Sequence, residues 1–356
     1  MTGLYDSYRR SITYLRVSVT DRCNFRCAYC MPSQGVQACS HADILRYEEA
    51  ALVVRAAAEL GIRKVRLTGG EPLVRHGLVE FVAMLAQIPG IDDLALSTNA
   101  SLLEGKAVAL KEAGLRRVNV SLDTLRPDRF ATVAGVPALE RVLAGIAAAQ
   151  RAGLEPVKIN TVAVRGFNED ELVEIASLSR ERGWHVRFIE LMPIGQTGFW
   201  SPDRYMSTEE IKERLAPLGP LEPCVPMPRS KHHQDGSDGD CSELAESFFP
   251  PPSAVSLNGP ARYYRLPGAK GTIGFISPIS DHFCDSCNRI RLTADGRLRT
   301  CLLWDREIDL RAHLRAGAEL EKIKALIVEA VLSKPQGHLL SQRDDDVRKA
   351  MSQIGG

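Results

Sequence analysis

The chain has 356 residues, of which 44% are hydrophobic and 25% are charged, enough to bury a large core in one main domain with a smaller appendage. Its 45 basic and 44 acidic residues give a net charge of +1, which argues against a surface built to bind nucleic acid. The first residues lack the apolar core of a signal peptide, and no later stretch approaches about eighteen uninterrupted apolar residues. We therefore expect a cytoplasmic protein.

A short β-rich run followed by an amphipathic helical stretch recurs from residue 16 to about residue 192, which is typical of βα units in a parallel sheet. The six predicted strands lie at 16–20, 64–68, 93–98, 117–122, 157–164 and 185–191. The predicted helices lie at 47–60, 78–88, 103–113, 138–152 and 169–182. Six such units favour an α/β fold, a partial (βα)6 TIM-like barrel, in which functional residues gather at the carboxyl ends of the strands.

The loop after the first strand contains Cys23, Cys27 and Cys30 in a C-x3-C-x2-C spacing. Three thiolates this close in sequence can occupy three corners of an iron–sulfur cluster and leave the fourth iron open. A zinc site and three inert reduced thiols are the alternatives. Zinc is disfavoured because structural sites usually use two cysteine pairs, and no second pair lies nearby.

Each following strand ends in glycine or polar residues. Gly69 and Gly70 follow the second strand, where the lack of a side chain lets the backbone approach a ligand, although a tight βα turn is the commoner reason for such a pair taken alone. The third, fourth and sixth strands end near Ser97, Ser121 and Met192, and a methionine at such a position is more often part of the core. Ligand-binding groups are therefore expected along this rim.

The sequence divides into three predicted regions: 1–221 with the barrel, 222–257 as a flexible insertion, and 258–356 as a C-terminal region. The insertion is rich in proline, glycine and aspartate, which is typical of a solvated loop. Cys224, Cys241 and the adjacent His232 and His233 could bind a metal on paper, but the stretch between them has no fixed geometry.

A second group, Cys284, Cys287 and Cys301, follows the insertion in a C-x2-C-x13-C spacing. Spacing alone leaves zinc, with His282 as a fourth ligand, and an iron–sulfur cluster equally open, and the first cysteine group favours the cluster. Arg289 and Arg291 alternate along a strand-like stretch, so they project to one face and could bind a triphosphate. The alternative is an exposed strand with basic residues.

The first cysteine loop resembles that of the radical S-adenosylmethionine enzymes. From about Leu15 to Gly356, the two cysteine spacings, the Arg-x-Arg and the final Gly-Gly resemble the GTP 3′,8-cyclase family of molybdenum-cofactor biosynthesis. The resemblance implies two 4Fe-4S clusters and S-adenosylmethionine as cofactors, with Cys23, Cys27, Cys30, Cys284, Cys287 and Cys301 as ligands. It also implies that a 5′-deoxyadenosyl radical removes hydrogen from C3′ of GTP, after which C3′ bonds to C8 of the guanine.

The same resemblance implies residue roles. The implied GTP contacts are Arg16, Arg66, Ser97, Lys158, Arg289, Ile290 and Arg291, with Ser97 standing where the family usually has threonine. The implied S-adenosylmethionine contacts are Tyr29, Gly70, Ser121 and Met192. The implied catalytic residues are Arg289, Arg291, Gly355 and Gly356. Implied partners are an electron donor and, downstream, cyclic pyranopterin monophosphate synthase, and the resemblance allows a homodimer.

Two other functions stay open on sequence alone. One is a different two-cluster radical enzyme, for example one that modifies a peptide, for which a different spacing of the second cysteine group is expected. The other is a zinc-stabilised binding module whose Arg-x-Arg face holds a nucleotide or RNA. The near-zero net charge and the six βα units argue against the binding module.

Overall fold

A computed structural model describes residues 3–32, 34–195, 197–224, 259–338 and 349–355. The strands in these residues are β1 (Tyr14–Ser18), β2 (Lys64–Thr68), β3 (Asp93–Thr98), β4 (Arg117–Ser121), β5 (Lys158–Ala163), β6 (His185–Glu190), β7 (Glu222–Cys224), β8 (Arg262–Arg265), β9 (Ile273–Ile276), β10 (Arg289–Leu292), β11 (Arg297–Arg299) and β12 (Glu307–Asp309). The helices are α1 (Tyr47–Glu59), α2 (Leu78–Ala86), α3 (Ala107–Glu112), α4 (Pro127–Ala134), α5 (Leu139–Arg151), α6 (Leu172–Glu181), α7 (Thr208–Arg214), α8 (Leu310–Arg315), α9 (Leu320–Leu332) and α10 (Met351–Ile354).

All of the strands belong to one sheet, in the order β12-β11-β10-β1-β2-β3-β4-β5-β6-β9-β8-β7. The six predicted strands form its centre, pair in parallel and begin or end within a few residues of the predicted limits. The prediction of a partial TIM-like barrel is therefore confirmed. The sequence did not predict that β10 and β9 would extend the parallel set at its two edges.

The five predicted helices are present in shortened form, and α4 is an additional helix in the same connection as α5. Its sequence signals are Pro127 at the first helical turn and Gly135, which ends the helix in a left-handed conformation at φ 72°. Proline can begin a helix because its missing N–H would be unpaired there. A βα unit with two helices differs from the simple repeat on which the prediction was based.

The sheet curves so that alternate side chains face an interior. In a flat sheet, Arg16 of β1 and Arg187 of β6 would lie about 24 Å apart, since five strand spacings separate them. The pKa of Arg16 is instead lowered by burial and by the charges of nearby guanidiniums, including that of Arg187. The neighbours of Arg16 on β1, Leu15 and Val17, face the opposite way and are fully buried in the core beneath the helices.

The first three residues of the predicted insertion form β7, which pairs with β8. Cys241, His232 and His233 lie outside the described residues, while Cys224 lies in β7. No single helix in the described part of the chain is long and apolar enough to cross a bilayer, and α4 and α5 meet that test only as a pair bent by 95°.

Candidate active site

The first three cysteines lie in the loop after β1, and α4 holds this loop against the barrel. Two backbone N–H groups of the loop donate to carbonyls at the C-terminal end of α4, both at 2.9 Å. Phe25 of the loop is buried and meets Phe130 of α4 edge to face, with ring centroids 5.8 Å apart. The additional helix therefore fixes the cysteine loop at the carboxyl ends of the strands.

The thiols of this loop lie near one another. Burial raises the pKa of Cys23 to about 11 and that of Cys30 to about 12. The pKa of Cys27 also rises, because of burial and because the two other thiols lie close to it. Among the described residues, no three His, Cys, Asp or Glu side chains converge on a position for a single metal ion. A four-iron cluster presents a separate iron to each thiolate, so three neighbouring but separate thiols fit such a group.

The two glycines after β2 contact the backbone of the cysteine loop. A Cβ on Gly69 would lie 2.2 Å from the carbonyl oxygen of Thr20, and a Cβ on Gly70 would lie 2.3 Å from that of Arg22. The N–H of Gly70 donates to the Thr20 carbonyl at 2.8 Å. Glycine is thus required at both positions for the close contact between β2 and the loop, a role that the sequence analysis did not assign.

Tyr29, which lies between two of the cysteines, is held by Asp123 at the end of β4. The Tyr29 hydroxyl donates to Oδ2 of Asp123 at 2.6 Å, and Oδ1 accepts the N–H of Val162 on β5 at 2.8 Å. Burial raises the pKa of Asp123 to about 6. Asp123 therefore positions the aromatic ring beside the cysteine loop, and its place directly after a strand is the only sequence signal for this role.

Inward-facing basic residues line the barrel. Arg16 lies opposite Arg66 of β2 on one side and opposite Arg291 of β10 on the other. Burial, together with the nearby guanidiniums of Arg16 and Arg187, lowers the pKa of Arg66 to about 9. The pKa of Lys158 is likewise held well below its usual range by burial and by Arg187. The interior is therefore a region of concentrated positive charge.

Several buried polar atoms in this interior have no hydrogen-bond partner. They include the Nε atoms of Arg66 and Arg187, Nδ2 of Asn119 and Oδ1 of Asn160. Arg187 donates to Oδ1 of Asn119 at 3.0 Å, which leaves the rest of both side chains available. Buried polar groups are normally paired, so these orphaned atoms indicate a polar, anionic ligand.

Arg187 and Asn119 are two of the interior residues that the sequence analysis missed, and Asn160 is a third. The first two occupy inward positions of central strands, in register with predicted contacts: Asn119 lies opposite Lys158 of β5. The signal was present in principle, because a buried parallel strand is normally apolar on both faces and a polar residue in it is unusual. These polar residues could be recognised as part of the site only once it was known which residues of each strand face inward.

The C-terminal tail enters this interior. The carbonyl of Gly355 accepts hydrogen bonds from Arg16 Nε at 3.1 Å and from a terminal nitrogen of Arg291 at 2.7 Å. Gly355 has a φ of 72°, and a Cβ there would lie 3.3 Å from side chains of β1 and β2. Just before it, the N–H of Met351 donates to the Cys30 carbonyl at 3.3 Å. The tail thus connects the first cysteine loop with the interior arginines.

The second cysteine group lies beside β10. Burial raises the pKa of Cys284. Burial would also raise that of Cys287, but the charges of Arg289 and Lys334 bring it down to about 6. A cysteine with this pKa is largely a thiolate at neutral pH, the form that binds metal. Cys301 completes the group and lies close enough to Cys284 to influence its pKa.

His282, the alternative zinc ligand, is engaged elsewhere. Its Nδ1 lies 3.0 Å from the Pro278 carbonyl, and its ring meets that of His338 edge to face at 4.3 Å. Three thiols, one of them ionised by neighbouring cations, fit an iron–sulfur cluster in this region as well.

The other predicted site residues are placed as follows. Ser97 on β3 faces the interior opposite Asn119, and Ser121 is exposed at the end of β4. Met192 packs against a small apolar cluster that contains Ile354 of the tail. The Ile290 side chain is fully buried and belongs to the main core, so only its backbone could contact a ligand in the interior. Gly356 lies outside the described residues.

Comparisons with known proteins agree with this geometry. Residues 17–179 match the radical SAM superfamily, and residues 229–340 match the C-terminal domain described as Molybdenum Cofactor Synthesis C. The chain is 52% identical to a GTP 3′,8-cyclase of Pelotomaculum thermopropionicum over 99% of its length and 100% of the relative's. It is 48% identical to a GTP 3′,8-cyclase of Moorella thermoacetica with the same coverage.

Among solved structures, SuiB of Streptococcus suis bound to S-adenosylmethionine aligns with a TM-score of 0.60 at 11% identity, over 96% of this chain and 77% of that one. At this identity the likeness concerns the fold alone. The full-length relatives carry the stronger conclusion, because they share about half of their residues over the whole chain. This chain therefore belongs to the GTP 3′,8-cyclase family of radical S-adenosylmethionine enzymes.

Proposed function

We propose that this chain converts GTP to (8S)-3′,8-cyclo-7,8-dihydroguanosine 5′-triphosphate, the first step of molybdenum-cofactor biosynthesis. The observation that carries the proposal is the barrel interior, in which buried cations and orphaned polar atoms lie between two groups of three cysteines. A nucleoside triphosphate supplies negative charge and hydrogen-bond acceptors for the cations and N–H groups, and its hydroxyl and amino groups supply donors for Oδ1 of Asn160.

The two cofactor sites follow from the thiols. Cys23, Cys27 and Cys30 would hold the first 4Fe-4S cluster, and Cys284, Cys287 and Cys301 would hold the second. When bound, the first cluster and S-adenosylmethionine supply the 5′-deoxyadenosyl radical that removes hydrogen from C3′ of GTP. Tyr29, Gly70, Ser121 and Met192 lie at the rim where this cofactor would bind.

The residues of the chain bind and orient the substrate. The proposed triphosphate contacts come from β1, β2, β5, β6 and β10, namely Arg16, Arg66, Lys158, Arg187, Arg289 and Arg291. Their fixed positions on one rigid sheet would hold C3′ and C8 of one GTP molecule in a reactive geometry. Ser97, opposite Asn119, would add a hydroxyl contact on the same surface.

The tail has two proposed roles. Its Gly355 carbonyl takes one hydrogen bond from each of Arg16 and Arg291, which fixes the direction of both guanidiniums before substrate binds. The buried Ile354 also closes the apolar cluster next to Met192, which excludes water that would quench a radical. Gly355 leaves room beside the substrate because it carries no side chain.

Partners and location are part of the proposal. Reductive chemistry at the first cluster requires an electron donor, and the cyclised nucleotide requires a further enzyme, cyclic pyranopterin monophosphate synthase, to convert it. We expect a cytoplasmic location because reducing compartments keep cluster-forming thiols available.

Anaerobic reconstitution tests the proposal. The wild-type chain should bind about eight irons, and the Cys23→Ala and Cys284→Ala variants should each lose about half of them. Cys39→Ala is the matched control, because Cys39 belongs to neither group and should leave the iron content unchanged. After incubation with GTP and S-adenosylmethionine, the wild type should give both 5′-deoxyadenosine and the cyclised nucleotide. Neither cluster variant should give both products. Tightly bound zinc at the second group, or 5′-deoxyadenosine without cyclised nucleotide, would refute the proposal.

A further inference from the structure

Arg10 is a buried arginine in the N-terminal segment, outside every site described above. Its Nε forms an ion pair with Asp6 at 2.5 Å. One terminal nitrogen donates to the carbonyls of Cys284 at 2.8 Å and Gln336 at 2.7 Å, and the other donates to that of Pro335 at 2.6 Å. A single guanidinium therefore joins the N-terminal segment, the second cysteine loop and the segment after α9.

Lys334 is a buried lysine at the start of that last segment, with 3% of its surface exposed. Its Nζ donates to the carbonyl of Arg289 at 3.0 Å and to that of Thr300. Arg289 follows Cys287 by two residues, and Thr300 directly precedes Cys301. The ammonium group thus bridges the close cysteine pair and the distant third cysteine.

This bridge addresses a geometric problem of the second group. Cys301 is separated from Cys287 by thirteen residues, which form the β10–β11 hairpin. The register of the hairpin, with Arg291 opposite Arg299, places Cys301 near Arg289, but the strand pairing ends at Arg291 and Arg299 and does not reach the cysteines. Lys334 joins the two open ends of the hairpin, and Arg10 holds the Cys284 carbonyl to the segment that follows Lys334.

The charges around Lys334 also connect it with the second cysteine group. Lys334 makes no ion pair with a carboxylate in the described part of the chain, while Cys287 and Cys301 act on it as the nearest negative groups. Burial alone disfavours its charge, so the buried ammonium is best compensated by an anion at the thiols. In addition, the backbone N–H of His338 lies close enough to Cys284 to lower the pKa of its thiol, against the effect of burial, and N–H groups near cluster sulfurs are one means of tuning reduction potential.

We propose that Arg10 and Lys334 are positioning residues of the second iron–sulfur cluster: together they hold its three cysteine segments at a fixed spacing, and the Lys334 charge raises the reduction potential of the cluster. The inference rests on the proposed function, because it assumes a cluster at the second cysteine group. A positive charge nearby favours the more negative, reduced cluster, so its removal should shift the potential downward.

The test uses the full-length chain reconstituted with iron and sulfide under anaerobic conditions. Lys334→Met keeps the length of the side chain and removes its charge, Lys334→Arg keeps the charge, and Arg10→Gln removes the guanidinium. Arg180→Gln is the matched control, because Arg180 also donates to two backbone carbonyls, those of Pro267 and Leu218, away from both cysteine groups. The readouts are iron content, electron paramagnetic resonance of the reduced clusters and the midpoint potential of each.

For Lys334→Met and Arg10→Gln we expect a loss of iron from about eight toward about four per chain, with the signal of the first cluster unchanged. In Lys334→Met molecules that keep the second cluster, its potential should be lower than in wild type. Lys334→Arg should recover iron content, and Arg180→Gln should match wild type in every readout.

Three outcomes would overturn the inference. Wild-type iron content and potential in both Lys334→Met and Arg10→Gln would show that neither residue supports the second cluster, and the proposed function would be unaffected. Loss of both clusters together would assign them to the stability of the whole fold. A wild-type chain with only four irons would refute the second cluster itself, and the inference would fall with the proposed function.

Discussion

The arginines inside the barrel and those on its outer surface are partnered in opposite ways. On the surface, Arg126 pairs with Glu174 at 2.7 Å, and Arg214 pairs with Glu169 at the same distance. In the interior, no carboxylate of the described residues forms an ion pair with Arg16, Arg66, Lys158, Arg187 or Arg291. Arg117, two residues before Asn119 on the same face of β4, pairs with Asp93 of β3. The surface charges are thus compensated within the chain, whereas those five interior charges are not.

This contrast explains how a chain with a net charge of +1 can bind a highly charged anion. Total charge averages over the surface, where opposite signs neutralise each other. The interior has its own balance, and there the cations are concentrated where water and counter-ions have limited access. A buried cation without a partner is unfavourable in the free protein, so the site is preorganised for a ligand that neutralises it.

Removal of the tail should have the largest effect on this arrangement. Deleting Gly355 and Gly356 removes the carbonyl that orients Arg16 and Arg291, and we expect the cyclised nucleotide to fall below detection while both clusters still form. The assay is anaerobic incubation with GTP and S-adenosylmethionine, with 5′-deoxyadenosine measured in the same sample. Gly355→Ala is a milder variant, strained at φ 72°, that should give partial activity. Full product yield from the truncated chain would show that the tail is dispensable.

The next effect concerns substrate affinity. Arg291→Ala removes a charge-assisted contact to the triphosphate, a loss of about 1.5–3 kcal/mol or tenfold or more in the Kd for GTP. Arg289→Ala should act in the same direction. Equilibrium binding of GTP without S-adenosylmethionine measures this separately from the chemistry. Wild-type affinity in both variants would mean that the Arg-x-Arg does not contact GTP.

The third prediction tests the energetic cost of an unpaired interior charge. Arg66→Met should raise the free energy of unfolding of the GTP-free protein by roughly 1–4 kcal/mol, the range for replacing buried charges by apolar groups. In the folded protein the pKa of Arg66 is about 9, below its usual value of 12.5, so the unfolded chain binds more protons between these values. The destabilisation is therefore complete below pH 9 and decreases as the pH rises toward 12.5.

Urea unfolding at pH 7, with and without GTP, measures this effect. GTP should stabilise wild type more than Arg66→Met, because the stabilisation by a ligand at a given concentration increases as its Kd decreases. If Arg66→Met were less stable than wild type without GTP, Arg66 would be a structural residue with a partner in the folded chain.

The smallest effect is expected on the surface. Arg126→Ala breaks an ion pair whose two side chains are about half exposed, at a cost of about 0–1 kcal/mol. The Kd for GTP and the product yield should equal those of wild type. The thermal midpoint and GTP binding of this variant provide the reference for the interior variants. A loss of GTP affinity comparable to that of Arg291→Ala would remove the distinction between the two sets of arginines.

Much of the site could be predicted because its chemistry is local in sequence. Cys23, Cys27 and Cys30 lie within eight residues, and this spacing restricts which metal groups they can hold whatever the rest of the fold does. The six central strands were predicted for the same reason, since the repeat of a β-rich run and a helix depends only on neighbouring residues.

The remainder was decided by tertiary structure, because it depends on contacts between residues far apart in the chain. The strand character of β10 follows from its sequence, but its parallel pairing beside β1, which brings Arg291 opposite Arg16, does not. The same holds for Arg187, whose side chain lies near Arg16 only because the sheet curves and brings β6 toward β1. Arg10 and Lys334 looked like ordinary basic residues, and only burial between distant loops gave them partners.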